Sequence, residues 1–282
     1  MKKLIKSTTL IFAIVALNCF TSCNIINGNG DIIEIEENFQ SFNKVVSDGC
    51  FDVFIHNSDT YSATVIAPSN IQPYVILKVN DKKLTIRKKQ NINFNTNKPI
   101  EVHVYCQQLE GVINNGSGNI SADDILTENY MEIVVNGSGD LEMGNIPECE
   151  NIKIKVSGSG KINIHQIDFC KYCDIVVSGS GSCTIGNILN EELMVKISGS
   201  GKVNLAGENY YTNIIVSGSG DYRAYDLLSN IYDAKVSGSG TSQISVSDKL
   251  TARINGSGSI YYYGYPQIDF TGGGSGRLIS MN

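Results

Sequence analysis

One tripeptide, Gly-Ser-Gly, recurs nine times in this chain, with first glycines at 116, 137, 158, 179, 199, 218, 238, 256 and 274. The intervals are 21, 21, 21, 20, 19, 20, 18 and 18 residues. A period this regular demands a repeat architecture, in which a short unit cannot bury its own apolar face but a stack of units can. Aligning the copies on the first glycine gives clean apolar columns. Two positions before it stand Val135, Val156, Val177, Ile197, Val216, Val236 and Ile254. Four before stand Ile133, Ile154, Ile175, Val195, Ile214, Ala234 and Ala252, and a third column lies six before. Past the corner the alternation resumes at the fourth position (Ile120, Leu141, Ile162, Cys183, Val203, Tyr222) and at the sixth. Period two means strand on both sides of a glycine corner.

These columns predict an all-β fold, a single-layer parallel β-helix (β-solenoid) with rungs of about 20 residues. Each strand then pairs with its counterpart one rung on, about 4.8 Å away, and the eight intervals make a rod of about 40 Å. A β-propeller is the competing arrangement, but its blades need four antiparallel strands and about 40 residues each. Glycine on both sides of the corner serine, as at Gly158 and Gly160, predicts positive φ at both positions in every rung. Outward positions provide a register check. Asp140 and Lys161, Lys202 and Asp221, and the series Glu132, Lys153, Asp174 become rung-to-rung neighbours of alternating charge.

The N-terminus reads as an address. Lys2, Lys3 and Lys6 precede the apolar run Leu10 to Leu17, which is too short to span a bilayer, and Phe20-Thr21-Ser22-Cys23 follows. This is a signal peptide, and a cysteine directly after small residues resembles a bacterial lipobox. The expectation is that residues 1–22 are removed and Cys23 is acylated, anchoring an exported protein in the outer membrane on a face left undecided. Losing the three lysines takes the formal charge from −6 to −9. An electrostatic nucleic-acid binder is excluded on that balance.

Residues 23–30 read as a lipidated tether, 31–110 as irregular strands without the corner, and 111–282 as the repeats. The expected strands in the middle segment are Val53–His56, Ala63–Ala67, Tyr74–Val79, Lys83–Lys88 and Ile100–Tyr105. Seven basic residues and one acid fall in 78–98, and seven acids and one base in 31–59. They read as solvated faces, or as two faces that pair.

An ordered series of short motifs runs through this part of the chain: F-x-x-V at 42–45, D-V-x-I at 52–55, D-x-K-L-x-I at 81–86, and P-I-x-V-x-V before the first Gly-Ser-Gly. Over residues 39–282 the chain resembles the auto-transporter adhesin "head GIN" domain family, formerly a domain of unknown function. The resemblance implies a secreted lipoprotein of a Gram-negative bacterium with a β-solenoid fold. It carries over no catalytic or binding residues.

Catalytic and metal chemistry finds little footing. A phosphate loop needs a helix after the glycines, and the period-two pattern there predicts strand. Calcium repeats need aspartate after each corner, but only Asp140 and Asp221 stand there. β-Helical polysaccharide enzymes need clustered carboxylates, and Asp123 and Asp124 point to opposite faces of a strand. His56, His103 and His165 are scattered, without partners at ligand spacing. Cys170 and Cys173 form a lone CxxC without a second pair. Cys149 and Cys170 fall at the same place in successive rungs, where stacked thiols are favoured over a disulfide.

The sequence therefore reads as a non-catalytic envelope lipoprotein, not an enzyme, with no cofactor and no metal. Its adhesin-like role is to bind a polymer or partner through a solenoid face. The alternative is a structural or regulatory envelope protein, and a polysaccharide-degrading enzyme ranks third. The expected partners are the membrane, through lipid on Cys23, and a glycan or an envelope protein. Nine of 14 tyrosines lie in the last 73 residues. Of these, Tyr261, Tyr263 and Tyr265 form the candidate ligand platform, or else a cap on the last rung.

Overall fold

The computed structural model describes residues 24–127 and 129–282. It is built almost wholly of strands. The first part holds β1 (Asn24–Asn27), β2 (Ile32–Asn38), β3 (Lys44–Asp48), β4 (Asp52–Asn57), β5 (Ser62–Pro68), a 3₁₀ turn at Gln72–Tyr74, β6 (Val75–Asn80), β7 (Lys83–Lys88), β8 (Ile92–Asn95) and β9 (Glu101–Cys106). All five strands expected here are present. The repeats begin with pairs of short strands, β10 (Gly111–Asn114) and β11 (Ile120–Ala122), then β12 (Tyr130–Val135) and β13 (Leu141–Ile146), followed by β14 (Cys149–Val156). From there each strand runs nearly from corner to corner: β15 (Lys161–Gly179), β16 (Ser182–Gly199), β17 (Lys202–Gly218), β18 (Asp221–Gly238) and β19 (Thr241–Gly256). The last rungs are β20 (Ser259–Tyr263), β21 (Gln267–Gly274) and β22 (Arg277–Ser280).

Every pairing between repeats is parallel, and the corner glycines stand in register: Gly179 on Gly199, Gly199 on Gly218, Gly218 on Gly238, Gly238 on Gly256 and Gly256 on Gly274. The fold is the parallel β-solenoid that the repeat dictates. The shortening intervals are absorbed on the return segment, where the register slips between Ile185 and Ile188, Asn204 and Gly207, and Ala224 and Leu228. The corner and the strands beside it keep a constant length.

The apolar columns form one continuous core. Ile154, Ile175, Val177, Ile214, Val216 and Val236 are fully buried. Where Tyr222 and Tyr232 enter the core, their neighbours are Ala224 and Ala234, all four fully buried. Large and small residues thus trade volume within one rung, as dense packing requires. The two tyrosine hydroxyls lie 3.3 Å apart, and burial pushes the Tyr232 phenol up to about 12.

The corners correct one expectation. Gly179, Gly199, Gly218, Gly238, Gly256 and Gly274 have φ between 91° and 129°, but Gly158 and Gly160 do not have positive φ, nor does the second glycine of any corner. The second glycine is needed for a different reason. A Cβ on Gly160 would overlap the carbonyl oxygen of Gly139 in the preceding rung. Rungs 4.8 Å apart leave no room there for a side chain.

The expected charge ladder holds as register but not as ion pairing. Lys202 does lie beside Asp221 and Asp140 one rung from Lys161. However, Asp140 accepts the Lys161 backbone N–H at 2.9 Å, and Asp221 pairs with Arg223 at 3.1 Å.

Before residue 111, stacking order and chain order part company. β3 and β4 form a rung that pairs directly with β10 and β11. Its corner is Gly49-Cys50-Phe51, unlike the rest. β7 and β9 stack on the far side of it. The chain between β7 and β9 detours through β8, so no Gly-Ser-Gly corner stacks beneath Cys50 and Phe51, and the glycine requirement lapses; the Phe94 ring of β8 lies 6.4 Å from that of Phe51 instead. Phe51 is free to turn inward and is fully buried. Antiparallel strands then close this end, β5 on β9, β6 on β7 and β2 on β5. The segment expected to be a tether opens with β1, which pairs with β8. The Asn70 side chain ties it down by donating to the Asn27 carbonyl at 2.5 Å and accepting from the Gly30 N–H at 3.0 Å. The expected signal peptide and Cys23 lie outside the described residues.

Candidate functional site

Parallel stacking converts a sequence position into a row running along the rod. The row seven residues before each first glycine reads Tyr130, Asn151, Tyr172, Glu192, Tyr211, one residue per rung and in direct register. These side chains point outward. Beside them, two residues on, runs the row Glu132, Lys153, Asp174, Met194, Asn213. Between the rows lies an open groove of about 370 Å³. Tyr130, Tyr172 and Met194 are each between 36% and 40% exposed. The tyrosines alternate with amide and carboxylate side chains, so an aromatic face recurs every second rung, about 10 Å apart. Lys171 Nζ stands 5.2 Å from the Tyr172 ring centre. The groove can offer stacking faces, with hydrogen-bonding groups between them.

The alignment of the repeats held the signal for this groove. At the seventh position before the corner, tyrosine alternates with amide or carboxylate residues from rung to rung.

The C-terminal tyrosines are arranged differently. Tyr261 and Tyr263 are on the outward side of β20, as the alternation predicts, and Tyr262 packs against the core. Tyr263 meets Tyr225, two rungs away, edge to face at 4.9 Å. Small Ser245 occupies the rung between them. Tyr265 follows Gly264 (φ 106°) and is 89% exposed, apart from the other two.

The basic and acidic stretches meet along the β3–β7 pairing, where Asp48 stands in register with Arg87. β6 and β7, carrying the basic residues, edge one face of the rod's closed end, while β2 edges the other. Among the described residues no ion pair joins them. Five of the six described cysteines, all but Cys50, are buried. Cys149 and Cys170 are in register, and both are buried free thiols. Cys173 is held high by its hydrogen bond with Cys170 and by burial, and burial pushes the Cys183 thiol up to about 12.

The histidines depart from expectation. His165 stands alone, but His56 on β4 and His103 on β9 are brought together, with nitrogens 3.2 Å apart. His56 also contacts Asp123 at 2.9 Å. Their motifs, D-V-F-I-H and E-V-H-V-Y, are counterpart strands of stacked rungs. That relation is invisible while residues 31–110 are read without a rung assignment.

Comparison with known proteins agrees with this architecture. The family model described as "Putative auto-transporter adhesin, head GIN domain" matches residues 41–189 and 171–266. Among solved structures, a putative adhesin from Parabacteroides distasonis aligns with TM-score 0.71 at 23% identity, over 92% of this chain and all of that one. A putative adhesin from Parabacteroides merdae aligns with TM-score 0.69 at 22% identity over the same shares. A protein from P. distasonis described as a putative lipid binding protein aligns with TM-score 0.67 at 23% identity, again over 92% and 100%. At these identities the likeness shows a common fold. No curated protein sequence matches the chain. With most of its length covered by the family model, the chain belongs to the head GIN domain family of putative auto-transporter adhesins.

Proposed function

We propose that this protein is a non-catalytic, exported envelope lipoprotein that binds an extended glycan along the side of its solenoid. Family membership supports an exported, envelope-associated adhesin. Acylation of Cys23, as the lipobox resemblance implies, would fix its closed end to the outer membrane. The observation that carries the glycan assignment is the groove of Tyr130, Tyr172 and Tyr211. An aromatic face every second rung matches the length of a disaccharide unit in an extended, equatorially linked polysaccharide. Alternate sugar rings then stack on tyrosine, and the rings between them meet Asn151 and Glu192. Tyrosine provides such contacts at low conformational cost. The fixed rung spacing makes the site a preorganised row rather than a pocket for a small molecule.

A glycan array probed with the purified protein should give signals confined to extended β-linked polymers. The double variant Tyr172→Ser, Tyr211→Ser should weaken binding at least tenfold, the equivalent of about 1.4 kcal/mol, while the melting temperature stays within a few degrees. Unchanged glycan binding in that variant would refute the groove. Loss on substituting Tyr261, Tyr263 and Tyr265 instead would transfer the site to the C-terminal tyrosines.

A further inference from the structure

Four polar side chains form an unbroken line across three stacked rungs at the closed end of the rod. Asp123 Oδ2 is 2.9 Å from His56 Nδ1. His56 Nε2 is 3.2 Å from His103 Nδ1. His103 Nε2 is 3.5 Å from Glu101 Oε2. The two rings are nearly coplanar, with 8° between their planes and 5.4 Å between centres. Tyr105 stacks on His56 at 5.1 Å and Phe54 on His103 at 4.9 Å. The imidazoles keep 31% and 25% of their side-chain surface open to solvent.

A proton inventory exposes what this line lacks. An ionised carboxylate only accepts hydrogen bonds, so each outer nitrogen is the donor to its carboxylate. Both inner nitrogens of the neutral rings are then bare, and their lone pairs face each other. Either one ring carries its proton on the inner nitrogen and gives up its carboxylate, or a cation beside the two nitrogens satisfies both lone pairs and keeps both carboxylate contacts.

We infer that His56 and His103 form a bidentate binding site for a divalent transition-metal ion of the zinc class. Zinc binds imidazole nitrogen at about 2.0–2.1 Å, so two ligands at a tetrahedral angle stand about 3.3 Å apart. The observed separation is 3.2 Å. A modest outward tilt of each ring brings both lone pairs onto an ion on the solvent side. The outer carboxylates are the partners that metal-binding histidines use to fix their tautomer and ring orientation. Among the described residues no group of three or more histidine, cysteine, aspartate or glutamate side chains could hold a metal. The site is therefore a two-nitrogen one, and water or a donor from another molecule completes the coordination. The bound ion clips β4 to β9, adding a cross-link between rungs to the end where stacking order and chain order diverge.

The test is titration of the metal-stripped protein with zinc chloride, followed by calorimetry and by spectra of protein labelled with nitrogen-15 at histidine. One zinc per chain should bind, shifting the resonances of His56 and His103 but not those of His165. His56→Gln and His103→Gln should each abolish that binding. Asp123→Asn, which keeps both ligands and touches the ion only through His56, should weaken it by about 10- to 100-fold. Melting curves without zinc would verify that each variant is folded. Absence of zinc binding, or binding that persists when both histidines are replaced, would overturn the assignment and leave the pair bridged by a proton alone.

Discussion

The two ends of the rod are built from the same kind of rung but finished in opposite ways. At the N-terminal end, β5, β6 and β8 lie against the outermost rung, and Phe42, Phe51, Ile71 and Leu84 are at most 1% exposed. At the C-terminal end, β21 and β22 have a neighbour on one side only. Phe270 stacks on Ala252 and Ile268 on Leu250, in columns that are otherwise core. Yet Phe270 is 44% exposed and Ile268 43% exposed, whereas Ala252 and Leu250 are fully buried. An inward-pointing residue in a solenoid is thus buried by the next rung, not by its own. Residue type and phase decide where a side chain points, and the neighbour decides what that is worth.

The contrast can be broken most forcefully in the core. Phe51→Ala should cost about 3–5 kcal/mol in chemical denaturation, the range for emptying a buried aromatic site. Phe270→Ala should cost less than about 1 kcal/mol, because much of that ring is already in water. Equal costs would mean that a partner covers the C-terminal rung in solution.

The corners sharpen the same comparison at a smaller scale. A Cβ on Gly218 would sit 2.7 Å from the Gly199 carbonyl oxygen, at a φ of 106°. Gly218→Ala should therefore cost about 1–3 kcal/mol. The same change at Gly274 breaks only the last rung, so its cost is capped by the stability of β21 and β22. Amide hydrogen exchange should show protection lost beyond residue 266, in β21 and β22, and nowhere else in that variant.

The smallest contrast is chemical. Cys50, at the one corner without a serine, is exposed, while Cys106 and Cys183 are buried and burial pushes both thiols up to about 12. At pH 8 iodoacetamide should modify Cys50 in the native protein. It should reach Cys106 and Cys183 only after unfolding, as peptide mapping would record, because the thiolate is the reactive form.

The sequence was most informative where the structure is most repetitive. The columns two, four and six residues before the glycine, and four and six after it, all proved to face the core, since period two and a fixed corner leave no alternative phase. Three features escaped. The first-glycine φ values were expected at both glycines because conformational freedom and close approach leave the same mark in sequence. The rung made by β3 and β4 was hidden by Cys50 and Phe51, which are tolerated because the chain detours beneath them. The meeting of His56 with His103 depends on that same hidden rung, so it could not be read before the rung was.

The in-register backbone ladder has a mechanical consequence. Its hydrogen bonds run along the rod, parallel to the line from the closed end to the open one. A pull on the C-terminus against a fixed N-terminal end therefore opens the ladder like a zipper, one rung at a time. Each rung of about 20 residues releases roughly 65 Å of chain as it comes away. A force applied instead across the rungs, to a polymer lying along Tyr130, Tyr172 and Tyr211, is shared by several rungs at once. The same molecule would yield by small steps to an end-on pull and resist a sideways one as a single body.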